Sequence, residues 1–164
     1  MAPTRRQLLL GGTALAAISG WELTDLPPAA PGCHVLSPEE AGVVAAYADA
    51  LFPPGNPLGP AARDLDIAAE VDQILHDQEA LIRDVFRYAL KTLVLGTWAS
   101  RQAHFSDLPL EIRQQVVHNW QSERVLPRRL LADAIRMELG MAYFNLPAVQ
   151  SALGWIPSCD AGRA

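Results

Sequence analysis

The 164-residue chain has a single lysine, Lys91, and only two cysteines, Cys33 and Cys159. Two cysteines exclude a disulfide-dense scaffold and a four-cysteine metal knot. There is no Cys-x-x-Cys-His run, no glycine-rich phosphate loop and no Gly-x-Ser-x-Gly turn. Haem attachment, nucleotide cradling and hydrolase chemistry therefore have no motif to rest on. Alternating apolar–polar runs of strand type and internal repeats are also missing. Basic residues are outnumbered, 13 against 18 acidic, for a net charge of −5. That balance makes nucleic acid an unsuitable partner, because such affinity comes largely from Lys and Arg neutralising phosphates. Charged residues make up only 19% and hydrophobic ones 50%, which excludes intrinsic disorder and supplies a core of ordinary size.

The four histidines, His34, His76, His104 and His118, fall in separate segments with no His-Glu-x-x-His pairing. They read as surface or packing residues, and no metal site is expected. Asp64, Asp66, Glu70 and Asp72 are close in sequence but have no partner base and no glycine-centred calcium loop. They read as helix N-terminal charges that favour the dipole. No catalytic residue is assigned.

The chain opens on Thr4-Arg5-Arg6-Gln7, followed by a moderately hydrophobic stretch from Leu8 to Gly20 that Glu22 and Asp25 close. Thirteen residues are too few to span a membrane, which takes about 20. The paired arginines before a weakly hydrophobic run resemble a twin-arginine translocation signal, an address for exporting a protein already folded. An ordinary secretory signal also begins with basic residues. Gly11, Gly12 and Thr13 make this stretch less hydrophobic than such signals require, which favours the twin-arginine reading. Residues 1–20 are therefore set aside as the signal, with Arg5 and Arg6 as its reading residues, and the expected location is the periplasm. Ala14-Leu15-Ala16 and Ala30-Pro31-Gly32 both fit a small-x-small cleavage pattern. Without Arg5 and Arg6 the balance becomes 11 basic to 18 acidic, a net −7.

Residues 21–36 form a Pro/Ala-rich spacer in which Pro27, Pro28 and Pro31 bar a helix. Ser37-Pro38-Glu39-Glu40 then combines an N-cap, a proline suited to the first helical position and a capping-box glutamate. The first helix runs to about Leu51, with Val43, Val44, Tyr47 and Leu51 on its apolar stripe, and stops at the proline-rich loop 52–60. A second spans Ile67 to His76, burying Ala68, Val71, Ile74 and Leu75. A third runs from Glu79 to Ser100, with Leu81, Ile82, Val85, Phe86, Ala89, Leu93 and Trp98 inward. Leu110 to Ser122 makes a fourth, and a fifth from Pro127 ends at Asn145-Leu146-Pro147. One or two further turns close at Gly154. The expected fold is all-α, a small bundle of about five helices over residues 37–157, with a tail at 158–164.

Five motifs occur in one order: Ser37-Pro38-Glu39-Glu40, Leu51-Phe52-Pro53-Pro54-Gly55, Phe105-Ser106-Asp107-Leu108-Pro109, Tyr143-Phe144-Asn145-x-Pro147-Ala148-Val149 and Leu153-Gly154-Trp155. The stretch from Leu36 to Pro157 thereby resembles the gluconate 2-dehydrogenase subunit 3 family, the small subunit of bacterial FAD-dependent sugar and polyol dehydrogenases. It is also similar to the helical segment preceding the flavin domain in some long-chain-alcohol and steroid members of the glucose–methanol–choline (GMC) oxidoreductases. The chain is short for the family, which leaves less surface for additional contacts. The resemblance implies a subunit with no cofactor of its own. FAD would sit on a GMC-type flavoprotein large subunit, in some complexes beside a cytochrome c subunit. The small subunit would assist maturation and, through the twin-arginine translocase, co-export of the large one, with membrane association coming through the complex.

Trp120, Tyr143, Phe144, Pro147 and Trp155 are the candidate partner interface, since Trp and Tyr are enriched among interface anchors. For the aromatics, core packing is the competing role. Trp155 follows the helix stop at Gly154 on a proline-flanked tail, which favours the interface. In an oxidising compartment Cys33 and Cys159 could bridge to each other or to a partner chain, or stay unpaired. The alternative to an accessory subunit is a free-standing exported helical binding or scaffold protein.

Overall fold

The computed structural model describes residues 26–122 and 126–154, so Arg5, Arg6, Trp155 and Cys159 lie outside the described residues. Among the described residues six α-helices follow in chain order: α1 Pro38–Leu51, α2 Ile67–Asp77, α3 Ala80–Arg101, α4 Leu110–Ser122, α5 Leu126–Asn145 and α6 Pro147–Ala152. Short 3₁₀ turns at Ala62–Asp64 and Phe105–Asp107 interrupt the connections. Among the described residues there is no strand, and the fold is an all-α bundle.

Local chemistry sets the helix ends. The Ser37 hydroxyl accepts from the Glu40 backbone N–H, and the Glu40 carboxylate accepts from the Ser37 N–H at 2.8 Å, closing the capping box of α1. Asp66 caps α2 by accepting from Ala69 N–H. Pro147 occupies the first turn of α6, where its missing N–H costs no hydrogen bond. α3 ends at Gln102, which takes a left-handed φ of 55° and donates its N–H to Trp98.

The core forms where Val43, Val44 and Tyr47 of α1 meet Val71 and Leu75 of α2, Phe86, Ala89, Leu90 and Leu93 of α3, and Ile135, Leu139 and Tyr143 of α5. α4 contributes Val116, Val117 and Trp120. The inward face expected for α3 needs correction. Phe86, Ala89 and Leu93 are buried, but Leu81 is 69% exposed and Trp98 57%, and Ile82 and Val85 are exposed too. α3 is apolar on more than one side, and the side that packs is Phe86, Ala89, Leu90, Leu93 and Thr97.

Asp72 also departs from its expected role. It is buried on α2, away from the helix start, and its carboxylate accepts the backbone N–H groups of His34 (2.6 Å), Val35 (2.9 Å) and Leu36 (2.7 Å). The spacer before α1 is thus bolted to α2. Burial alone would push the Asp72 carboxyl up, but these three backbone hydrogen bonds prevail and hold it below the usual carboxylate range.

A carboxyl whose pKa is depressed in the folded state stabilises fully above its unfolded value, and that contribution disappears as pH falls through the folded one. Asp72→Asn should therefore lower stability at pH 7 by about 1–3 kcal/mol. The gap from wild type should narrow as the pH drops below about 4, the unfolded carboxyl value. Urea midpoints of both proteins at pH 7 and pH 3 check this; a gap unchanged by pH would refute the clamp.

Candidate functional site

α5 is apolar on two faces. Ala132, Ile135, Leu139, Ala142 and Tyr143 are fully buried. A second set, Leu126, Leu130, Met137, Met141 and Phe144, is exposed by 57, 57, 65, 44 and 40%. At 3.6 residues per turn these five positions fall within an arc of about 60° and extend for about 27 Å. They make an exposed apolar stripe, broken between Leu130 and Met137 by Asp133, which falls about 20° outside that arc and pairs with Arg136, and nothing among the described residues is laid over it.

At its C-terminal end the stripe meets an aromatic staple. The Tyr143 ring stacks on Phe52 at 3.8 Å with 5° between the planes, and Phe144 meets both rings edge-on. The Tyr143 hydroxyl donates to the Pro60 carbonyl at 2.8 Å. Asn56 Nδ2 donates to the carbonyls of Pro53 and Gly59, and Asn56 Oδ1 accepts from Leu58 N–H. Gly59 is required here. Its φ of 146° is hostile to side chains, and a Cβ would come within 3.3 Å of the Tyr143 hydroxyl. The Phe52-Pro53-Pro54-Gly55 and Tyr143-Phe144-Asn145 motifs, some 90 positions apart in sequence, are therefore two halves of one contact.

A groove of about 460 Å³ lies between α1 and α3. Val43, Leu90, Val94, Leu95 and Trp98 line it, with Leu26 and Pro27 at one wall and His104 near Glu39 at the rim. Beneath it, Arg87 donates from Nε to Glu40 Oε1 at 2.8 Å and from Nη2 to Glu40 Oε2 at 2.9 Å. The same Nη2 reaches the Pro27 carbonyl at 2.5 Å. On the opposite side of α1, buried Asp49 is held by Arg63 and Arg113 at 2.8 and 2.9 Å.

The candidate interface residues divide. Tyr143 is fully buried and Trp120 is 8% exposed, so both are core residues and neither is available as a surface anchor. Trp120 packs against Gly96, where a Cβ would come within 3.3 Å of its ring, and Arg128 sits over its face at 6.0 Å. Phe144 and Pro147 are exposed, at the α5–α6 junction. Leu126, Leu130, Met137 and Met141 were missed by sequence reasoning; their spacing of four, seven and four residues carried the signal.

Cys33 is half-buried with a free thiol that burial and the carboxylates of Asp72 and Asp66 push above its usual value. His34 and His76, distant in sequence, stack with ring centres 4.4 Å apart. Among the described residues no group of three or more His, Cys, Asp or Glu side chains is placed to hold a metal ion. What the geometry offers is apolar surface for binding.

In comparisons with known proteins, no family model matches the chain, and no curated protein or solved structure matches it.

Tyr143→Phe should remove one half-buried hydrogen bond and leave the Pro60 carbonyl with only Asn56 Nδ2, at 3.5 Å. The expected loss is about 1–1.5 kcal/mol, seen as a lower urea midpoint at unchanged slope. An unaltered midpoint would remove the staple from the account of loop 52–60.

Proposed function

We propose that this chain is the non-catalytic small subunit of a periplasmic FAD-dependent dehydrogenase of the GMC type, acting on sugars, polyols or alcohols. In this reading it assists maturation of the flavin-bearing large subunit and carries it through the twin-arginine translocase. The observation that supports the reading is the exposed stripe of α5. A long strip of exposed apolar side chains on one helix of the bundle fits a partner that stays bound, because stable interfaces bury on the order of 1,600 Å² around a few large anchors. Two methionines on the strip suit a surface that must mould to a partner. The ordered motifs and the Thr4-Arg5-Arg6 start agree with it.

The flavin and its electron transfer belong to the large subunit, with a cytochrome c subunit as the onward acceptor in complexes that include one. This chain contributes binding surface and an export address, and no chemical step is assigned to its side chains.

Met137→Glu combined with Met141→Glu tests the docking face. Both side chains are exposed, so the melting temperature of the isolated chain should barely move. Co-purification with a co-expressed GMC flavoprotein should weaken by about 2 kcal/mol or more, roughly thirtyfold in affinity. Undiminished co-purification overturns the assignment of the stripe.

Arg5→Lys with Arg6→Lys tests the escort role. The expected outcome is flavoprotein stranded in the cytoplasm, read by fractionation and dehydrogenase assay. Periplasmic activity equal to wild type would show that the large subunit travels independently.

A further inference from the structure

Two small-x-small patterns compete as the cleavage site of the export signal, Ala14-Leu15-Ala16 and Ala30-Pro31-Gly32. The first lies outside the described residues. The second is described, and its backbone is committed to the fold. The Cys33 N–H donates to the Ala30 carbonyl at 2.9 Å and closes a four-residue turn. Pro31 takes the second position with its fixed φ, and Gly32 the third with a φ of 87°, the pattern of a type II turn. The Ala30 N–H donates in turn to the Leu36 carbonyl at 2.8 Å. Both flanks are anchored. Upstream, Arg87 holds the Pro27 carbonyl. Downstream, Asp72 holds the N–H groups of His34, Val35 and Leu36, and the His34 ring stacks on His76 of α2.

Pro31 and Gly32 are exposed, so water reaches the bond after Gly32. A peptidase cleft, however, takes its substrate as an extended chain, and tolerance of a cut follows the hydrogen bonding and burial of the backbone concerned. Extending 30–33 breaks the turn, and the adjoining Val35 and Leu36 are buried. We propose that residues 27–36 are a permanent arm of the mature fold, and that the signal is removed upstream of Leu26, at Ala14-Leu15-Ala16. Hydrolysis there adds one water across the Ala16–Ala17 peptide bond, leaving a carboxylate on Ala16 and an α-amino group on Ala17. Ala30-Pro31-Gly32 matches a cleavage site only because a tight turn calls for Pro followed by Gly. A cut after Gly32 would discard the Pro27–Arg87 bond and, with Leu26 and Pro27, one wall of the groove between α1 and α3. The inference rests on reading residues 1–20 as an export signal.

The test incubates the purified full chain, in detergent, with a bacterial signal peptidase that cuts small-x-small sites. New N termini are read by mass spectrometry. The expected product begins at Ala17, with none beginning at Cys33. A Cys33 product, or no cut at all, would overturn the proposal. No translocase is present, so the result stands apart from the fractionation of the Arg5/Arg6 variant, which judges export itself. A second comparison asks what protects the bond after Gly32. Pro31→Ala removes the residue least suited to the peptidase, and the folded variant should still yield no Cys33 product. Adding Asp72→Asn frees the downstream anchor and should raise that product at least several-fold. A Cys33 product from Pro31→Ala alone, or equal yields with and without Asp72→Asn, would show that the arm's bonds are not the protection.

Discussion

The buried Glu40–Arg87 pair is the tie on which the rest of the bundle is hung. Glu40 alone joins three parts of the chain: it closes the cap of α1 through Ser37, binds the α3 guanidinium through both oxygens, and through that guanidinium holds Pro27. Removing one member of a buried pair costs about 3–5 kcal/mol, because the other charge is left without compensation. An apolar replacement of both could match the stability. It would not reproduce the directional hold that sets α1 against α3 in one register and shapes the groove between them.

Two other carboxylates repeat the device with different partners. Asp72 gathers three successive backbone N–H groups of the spacer, and Asp49 gathers two arginines from the 3₁₀ turn and α4. Each acid is buried and multiply bonded, as low-dielectric surroundings demand. A chain with few charged residues has therefore put several of them inside as cross-links between elements. The apolar core supplies cohesion, and these acids decide which helix lies beside which.

Sequence revealed the elements well because their boundaries are written locally. The Ser37 cap with Pro38, the proline-rich stop after Leu51, the Leu110–Ser122 helix and the break at Leu146-Pro147 all appear where expected. Orientation was harder. α3 carries apolar residues around much of its circumference, so periodicity could not separate Phe86, Ala89 and Leu93, which pack, from Leu81, Val85 and Trp98, which do not. The long-range pairs had no local signature at all, since Glu40 and Arg87 are 47 positions apart. For the candidate surface, aromatic identity pointed to Trp120 and Tyr143, but their size suits the core equally. Burial went to these two, and the exposed stripe fell to Leu and Met, residue types that composition alone assigns to the interior.

That stripe also governs how the chain behaves in a tube. A helix that is apolar on opposite sides satisfies one through its own fold and presents the other to whatever is nearest. The net charge of −5 supplies repulsion between copies but does not cover the apolar side. Any self-association through that side rises with concentration by mass action. Solubility, and not folding, is the quantity on which such a side acts first.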